Sequence, residues 1–204
     1  MVQAIGRRER KKAATRSALC RAAMRLALER GVENVTLEAI AQEADVAPRT
    51  FHNYFASKED AIVAELFEFP ARYPDALEAR PDGEPVWEAL QSVVVTELSV
   101  SPEVLEDLSA RMRMIKASRS LAAPLQASLE QMSKALAAVV AIRTGTDVEH
   151  DLYPGLVAAS AIVATNAAVD LWLADGGRAN LADLAAEAFT QLRAGLPEPT
   201  PGRV

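Results

Sequence analysis

Apolar residues recur at intervals of three and four along almost the whole chain, which is the spacing of amphipathic helices. Between residues 12 and 30, Leu19 and Leu26 share one helical line, and Gly31 follows as a typical helix end. The Val93–Val95 triplet is too short for a strand and lies inside a helical pattern. The pattern therefore predicts an all-α fold.

Capping residues mark the boundaries of shorter helices in the first 70 residues. Thr36 is the predicted N-cap of a helix over 37–44, and Pro48 suits the first position of a helix that reaches about residue 55. Ser57, with Asp60 three positions later, has the capping-box pattern of a helix that reaches about residue 69. The segment thus predicts two short helices joined by a tight turn, and a third helix after them.

The prolines between residues 70 and 85 predict a linker, and longer helices are expected beyond it. Thr146 with Glu149, and Asn180 with Asp183, are the predicted capping pairs of the last two helices. The predicted long helices cover residues 85–99, 102–116, 121–143, 147–175 and 180–194. The predicted domains cover residues 1–58 and 59–204.

The net charge of −6 is divided unevenly between the two ends of the chain. Residues 1–60 carry +3 and residues 61–204 carry −9. Such a distribution favours contact between the N-terminal part and a polyanion, although a solvated arm has the same composition. The crowded basic residues are Arg7, Arg8, Arg10, Lys11, Lys12, Arg16, Arg21 and Arg25.

Composition excludes several classes of protein. An apolar content of 50% excludes global disorder, and Cys20 as the only cysteine excludes a disulfide scaffold. The most apolar stretch, 156–174, is long enough to span a membrane, but it contains Asn166 and Asp170. We therefore predict a buried or dimerising helix there, and a soluble cytoplasmic protein.

The segment Thr36–Asp60, TLEAIAQEADVAPRTFHNYFASKED, carries the clearest candidate chemistry. Its apolar positions face inward, so its second short helix presents polar side chains outward. Arginine, threonine, histidine and asparagine on a short exposed helix suit the base edges and phosphates of a major groove. The predicted DNA-binding residues are Thr36, Pro48, Arg49, Thr50, His52, Asn53, Tyr54 and Lys58.

Residues 12–66 resemble the TetR (tetracycline-repressor-like) family of bacterial regulators, on the runs VTLEAIAQEADVA and RTFHNYFASKED. Asp45 stands where that family usually has glycine, and His52 where a tyrosine often contacts the DNA backbone. The resemblance implies that Thr36 and Lys58 touch phosphates and that Arg49, Thr50 and Asn53 approach bases. It also implies a homodimer formed by the last two long helices.

The C-terminal part is similar to a subgroup of regulators whose C-terminal domain is described as acyl-CoA-like ligand-binding. This similarity rests on Arg111–Ile115, on residues 118–125 and on the surroundings of Trp172. It implies a small-molecule effector that is acyl-CoA-like or hydrophobic. The predicted ligand-binding residues are Trp87, Arg111, Met114, Met132, Asn166 and Trp172.

The sequence predicts a ligand-responsive repressor that binds an inverted-repeat operator as a dimer and is released by a small molecule. A ligand-independent or activating DNA-binding regulator is the alternative, and a helical binding module or an enzyme is a more remote one. No cofactor is expected. His150 in Glu149–Asp151 has no second histidine at metal-ligand spacing, so we predict a helix cap there, no metal site and no catalytic residues.

Overall fold

The structure is a computed structural model that describes residues 6–68 and 70–198. Within these ranges it contains helices and no strand, so the predicted all-α fold is confirmed. The helices are α1 (Arg7–Arg30), α2 (Leu37–Glu43), α3 (Pro48–Phe51), α4 (Lys58–Leu66), α5 (Tyr73–Glu78), α6 (Val86–Leu98), α7 (Pro102–Ala117), α8 (Ala122–Thr144), α9 (Leu152–Ala174) and α10 (Leu181–Arg193). Single 3-10 turns occur at Val32–Asn34, Pro70–Arg72 and Arg119–Leu121.

The described chain forms two compact units. Unit 1 contains residues 6–68, 70 and 110–128, and unit 2 contains residues 71–109 and 129–198. The second half of α7 and the start of α8 therefore belong to unit 1. This grouping differs from the predicted boundary after residue 58, because α4 packs along α1.

The core of unit 1 lies between α1, α4 and the two short helices. Leu19, Ile40, Phe51 and Ile62 are fully buried there, and Ile115 of α7 packs into the same cluster. Helices as short as α2 and α3 are not stable alone, so burial against α1 and α4 supplies their stability.

Three predicted caps are present. The Thr36 hydroxyl accepts a hydrogen bond from the Ala39 amide at 3.2 Å, and Ser57 and Asp60 form the reciprocal capping box of α4. The Asn180 side chain accepts from the amides of Ala182 and Asp183. These bonds satisfy amides that the first turn of a helix leaves without partners.

The predicted cap of α9 is wrong. The helix begins at Leu152 rather than 147, and residues 147–150 form a turn before it. The Asp147 carboxylate accepts from the amides of Glu149 and His150, at 2.7 and 3.1 Å. A short aspartate side chain reaches its own following amides, which competes with helix formation at this point.

The segment 70–85 is not the open linker that its prolines suggested. It contains α5, which buries Tyr73 and Leu77 in unit 2. The Arg143 guanidinium of α8 also donates to backbone carbonyls of this segment, with distances of 2.9 Å to Arg80 and 2.8 Å to Pro81. Proline is compatible with the first turn of a helix, so proline content alone did not exclude α5.

Unit 2 is built around α9, which packs on α10 and α6. Trp172 and Phe189 are its largest fully buried side chains. Among the described residues, α9 is the one helix long and apolar enough to cross a membrane by length and composition. Its residues Ala158, Ala161, Ala164 and Ala168 are buried inside unit 2, as in a core helix.

Candidate nucleic-acid interface

The position of α3 is fixed by an aromatic anchor and a tight turn. Phe51 is fully buried, and its ring lies 5.7 Å from that of Phe55, which is also buried. Between α2 and α3, Asp45 adopts a φ of 53°, and the Val46 amide donates to the Ala41 carbonyl at 2.9 Å. Aspartate tolerates this left-handed conformation better than most residues, so the turn forms without the glycine of the resembling family.

Most of the predicted DNA-binding residues next to Phe51 are exposed to solvent. Pro48, Arg49, His52 and Asn53 are exposed, whereas Thr50 is half-buried. Tyr54 is also half-buried and packs against the core of unit 1. The structure therefore brings these six predicted DNA-binding residues onto one short segment, and their individual contacts remain predictions. α3 itself ends at Phe51, because residues 52–54 form a turn rather than continuing the helix to 55.

Thr36 lies outside this segment, at the start of α2. Thr36 is exposed, and its hydroxyl oxygen caps the helix. Since the cap uses the oxygen as an acceptor, the hydroxyl hydrogen is still available for an acceptor such as a phosphate.

Lys58 has partners that the sequence did not predict. Its ammonium donates to the carbonyls of Val32 and Val35, each at 2.9 Å, and lies 3.4 Å from the carbonyl of Glu33. The side chain is only 20% exposed. The predicted phosphate contact thus competes with bonds inside unit 1.

The basic residues of α1 divide into two groups. Arg16 pairs with Glu68 at 3.0 Å and lies 5.1 Å above the Phe55 ring centroid, and Arg25 pairs with Glu29 and Glu43. These two arginines therefore have structural partners. The side chain of Arg7 lies outside the described part of the structure. The exposed basic residues near the start of α1, here called the basic arm, are Arg8, Arg10, Lys11 and Lys12, and Arg21 and Arg30 are exposed further along the helix.

The predicted ligand residues do not form one cluster. Arg111 belongs to unit 1, where its guanidinium contacts the Glu65 carboxylate at 3.2 Å, and Met114 packs against the core of that unit. Burial raises the pKa of Glu65, and Arg111 opposes this effect only in part. Glu65 was not predicted from the sequence, because a contact between residues 46 positions apart leaves no local pattern.

The other four predicted ligand residues lie in unit 2. The Trp87 indole N–H donates to the Phe189 carbonyl at 3.2 Å, and Trp172 is fully buried with an indole nitrogen that has no hydrogen-bond partner. Met132 is half-buried, whereas Asn166 is exposed on α9. Trp87, Trp172 and Met132 are at least half-buried, as residues that line an interior site would be, whereas Asn166 is not.

One side of α9 exposes large apolar residues. Leu152, Leu156, Val163 and Leu171 are between 58% and 82% exposed. At 100° per residue they lie within about 100° of one another around the helix axis. Asp170 is exposed on the same side of the helix. Large apolar residues exposed together on one side of a helix are typical of a protein–protein contact.

Two short helices joined by a tight turn, the second with exposed polar residues around a buried aromatic anchor and both packed beside a basic helix, are the arrangement of a helix-turn-helix DNA-binding protein. Residues 19–65 match the family model for bacterial regulatory proteins of the tetR family, and residues 84–197 match the model described as the MftR C-terminal domain. The protein belongs to the TetR family of transcription regulators.

Individual relatives support this assignment. The chain is 34% identical over 160 residues to the HTH-type transcriptional regulator TcmR of Streptomyces glaucescens, covering 76% of this chain and 71% of TcmR. Its fold is similar to that of Thermus thermophilus FadR in complex with lauroyl-CoA, with 18% identity, a TM-score of 0.59, and coverage of 93% and 99%. It is also similar to the SmeT–triclosan complex, SmeT being a Stenotrophomonas maltophilia repressor, with 20% identity, a TM-score of 0.58, and coverage of 93% and 100%.

Proposed function

We propose that this regulator is a cytoplasmic homodimeric repressor that binds an inverted-repeat operator and is released by a small molecule. The observation that carries the proposal is the anchoring of α3: Phe51 is locked in the core while Arg49, His52 and Asn53 are exposed beside it. A rigid segment with these side chains suits base readout in the major groove. The protein then acts by binding and not by catalysis.

Within the groove the side chains have different roles. Arg49, Thr50 and Asn53 approach base edges and supply sequence preference. Thr36, Pro48, His52 and Tyr54 contact the DNA backbone, and the basic arm adds affinity that does not depend on sequence. Because each neutralised phosphate releases counterions, this second contribution falls steeply as salt rises.

The exposed apolar face of α9 is the proposed dimer contact. A second copy of the same face buries Leu156 and Val163 of both protomers. Ala159 and Ala167, exposed on the same side of the helix, are small, so two such helices can approach closely. Asn166, which sequence analysis assigned to the ligand, lies exposed on the same helix beside this face.

The effector is proposed to be a hydrophobic or acyl-CoA-like molecule bound in unit 2. The fold likeness to a lauroyl-CoA complex and to a triclosan complex supports this class of ligand. Trp87, Met132 and Trp172 are its candidate contacts. To release DNA about 100-fold, the effector must favour the non-binding state by roughly 2.7 kcal/mol.

Selection from a random pool of DNA duplexes at about 150 mM salt tests this function. The wild-type protein should enrich an inverted repeat whose half-sites are about one helical turn apart. The protein should first be refolded from denaturant, which removes any effector that keeps it off DNA. If a folded, refolded dimer enriches no sequence, the proposal is wrong.

A further inference from the structure

Trp172 of α9 carries a buried hydrogen-bond donor without an acceptor. The residue is 1% exposed, and none of the described residues accepts a hydrogen bond from its indole Nε1. An indole N–H can only donate, so no other kind of bond satisfies it. Buried polar groups nearly always have partners, because an unsatisfied donor lowers the stability of the fold. The exception at Trp172 indicates a group that is satisfied in another state of the protein.

The second tryptophan of the chain shows the usual arrangement. The Trp87 indole N–H donates to the Phe189 carbonyl at 3.2 Å, and the centroids of the two rings lie 4.8 Å apart. Trp87 is only half-buried. The more deeply buried tryptophan is therefore the one whose donor has no partner.

The turn between α9 and α10, residues 175–180, lies beside the Trp172 ring, but the acceptors of Asp175 are already used. Its carboxylate accepts from the Arg178 guanidinium at 2.8 Å and from the Ala179 amide at 3.0 Å. Its carbonyl accepts from Arg178 as well, at 2.9 Å. This local network leaves the Trp172 N–H to an acceptor from outside the turn.

Gly177 keeps side chains away from the N–H edge of the ring. A Cβ at position 177 would lie 3.5, 3.6 and 3.7 Å from Cζ2, Cε2 and Nε1 of Trp172. These are ordinary contact distances, so an atom can be placed against this edge without a clash. Gly177 has a φ of 79°, a conformation that favours glycine, and glycine supplies no side chain to cover the edge.

We propose that the effector carries a hydrogen-bond acceptor, such as a carbonyl oxygen, that accepts from the Trp172 indole N–H beside the α9–α10 turn. The inference rests on the proposed function and adds to it the chemistry of one contact. The Trp87 N–H is already used within unit 2, so Trp87 contributes only apolar contact. An effector without an acceptor at this position leaves the Trp172 donor unsatisfied and binds more weakly.

The test compares two probes that differ at one group, lauroyl-CoA and S-dodecyl-CoA, in which a methylene replaces the thioester carbonyl. Calorimetric titration measures their binding to the wild type, to Trp172→Phe and to the control Trp87→Phe. The wild type should bind lauroyl-CoA about tenfold more tightly than S-dodecyl-CoA, as one additional hydrogen bond provides. Trp172→Phe should bind both probes alike. Trp87→Phe should keep the tenfold difference, even if both affinities fall.

Two results of this comparison would overturn the inference. Equal affinity of the wild type for the two probes shows that no donor recognises the carbonyl. A tenfold difference that survives Trp172→Phe shows that a different donor recognises it.

A measurement on the wild-type protein covers the case in which Trp172→Phe does not fold. Protein labelled with ¹⁵N-tryptophan gives two indole N–H signals, which Trp87→Phe assigns. Saturating lauroyl-CoA, or triclosan as a second probe, should move the Trp172 proton downfield by more than that of Trp87. A Trp172 signal that stays in place while the probe releases operator DNA refutes the contact.

The two levels of the account fail in different ways. Release of operator DNA by a probe tests the proposed function, whereas the Trp172 signal tests the contact. If neither probe releases the wild-type protein from its operator, the proposed class of effector is wrong and the inference falls with it.

Discussion

The ion pair between Glu65 and Arg111 is expected to matter for the stability of unit 1 because each charge offsets the cost of burying the other. It joins α4 to the second half of α7 at 3.2 Å, with side chains that are 10% and 26% exposed. At an effective dielectric constant of about 20, the attraction at this distance is about 5 kcal/mol. Burial costs several kcal/mol per ion, which is about as much. The raised pKa of Glu65 agrees, since burial is its largest cause and exceeds the opposing effect of Arg111.

Removing one of the two charges should therefore lower the free energy of unfolding more than removing both. Arg111→Met leaves the Glu65 carboxylate buried without this cation, and we expect a loss of about 3 kcal/mol in the free energy of unfolding at pH 7. In a chain of this size the loss lowers the melting temperature by roughly 6 to 12 °C. Glu65→Gln with Arg111→Met should restore most of it.

The loss should also depend on pH. Glu65 has a folded-state pKa above its ordinary value of 4.5, so its protonated form favours folding. The stability that protonation provides is full below pH 4.5 and disappears as pH rises through the folded-state pKa. Thermal unfolding of Arg111→Met should thus approach that of the wild type as pH falls towards 4.5. A loss that is independent of pH, or a double variant less stable than Arg111→Met, would refute the reasoning.

Three further predictions concern other parts of the chain. Arg143→Met should lower the free energy of unfolding by about 1 to 3 kcal/mol, because it removes hydrogen bonds from a charged group to carbonyls of residues 77–84, most of them half-buried. Arg178→Met, at an exposed local pair, should cost under about 0.5 kcal/mol, and urea unfolding compares the two variants. Val163→Asp should convert the dimer to a helical monomer in sedimentation experiments, and Val104→Asp, also exposed, should not; a dimeric Val163→Asp protein contradicts the proposed contact. Cys20 is fully buried, and burial raises its pKa to about 12. A thiol reagent at pH 8 should therefore modify it only as fast as the protein unfolds. Faster labelling would show that the site opens locally.

Local signals in the sequence predicted the starts of α2, α4 and α10. Thr36, Ser57 and Asn180 act as caps because a cap needs only a side chain within three residues of the amides it binds. The apolar positions of Thr36–Asp60 were predicted to face inward, and Phe51, which is one of them, is fully buried. The exposure of Arg49 and Asn53 follows from that anchor.

Contacts between distant residues were not predictable in the same way. Lys58 lies 23 residues from Val35 in sequence, and nothing near it indicates that its ammonium folds back on the α1–α2 turn. The motif therefore suggested a phosphate contact. Arg111 and Met114 were assigned to the ligand because the run Arg111–Ile115 resembles that of regulators with a ligand-binding C-terminal domain. The fold instead places the second half of α7 in unit 1.

The central claim is that α3 reads DNA sequence, and Arg49→Ala tests it most directly. Affinities for the selected operator and for random DNA should be measured side by side at one salt concentration, with Arg8→Ala in the basic arm as the control. Arg49→Ala should cost about 1 to 3 kcal/mol on the operator and almost nothing on random DNA, whereas Arg8→Ala should weaken both alike. Equal losses on the two DNAs for Arg49→Ala would contradict the account.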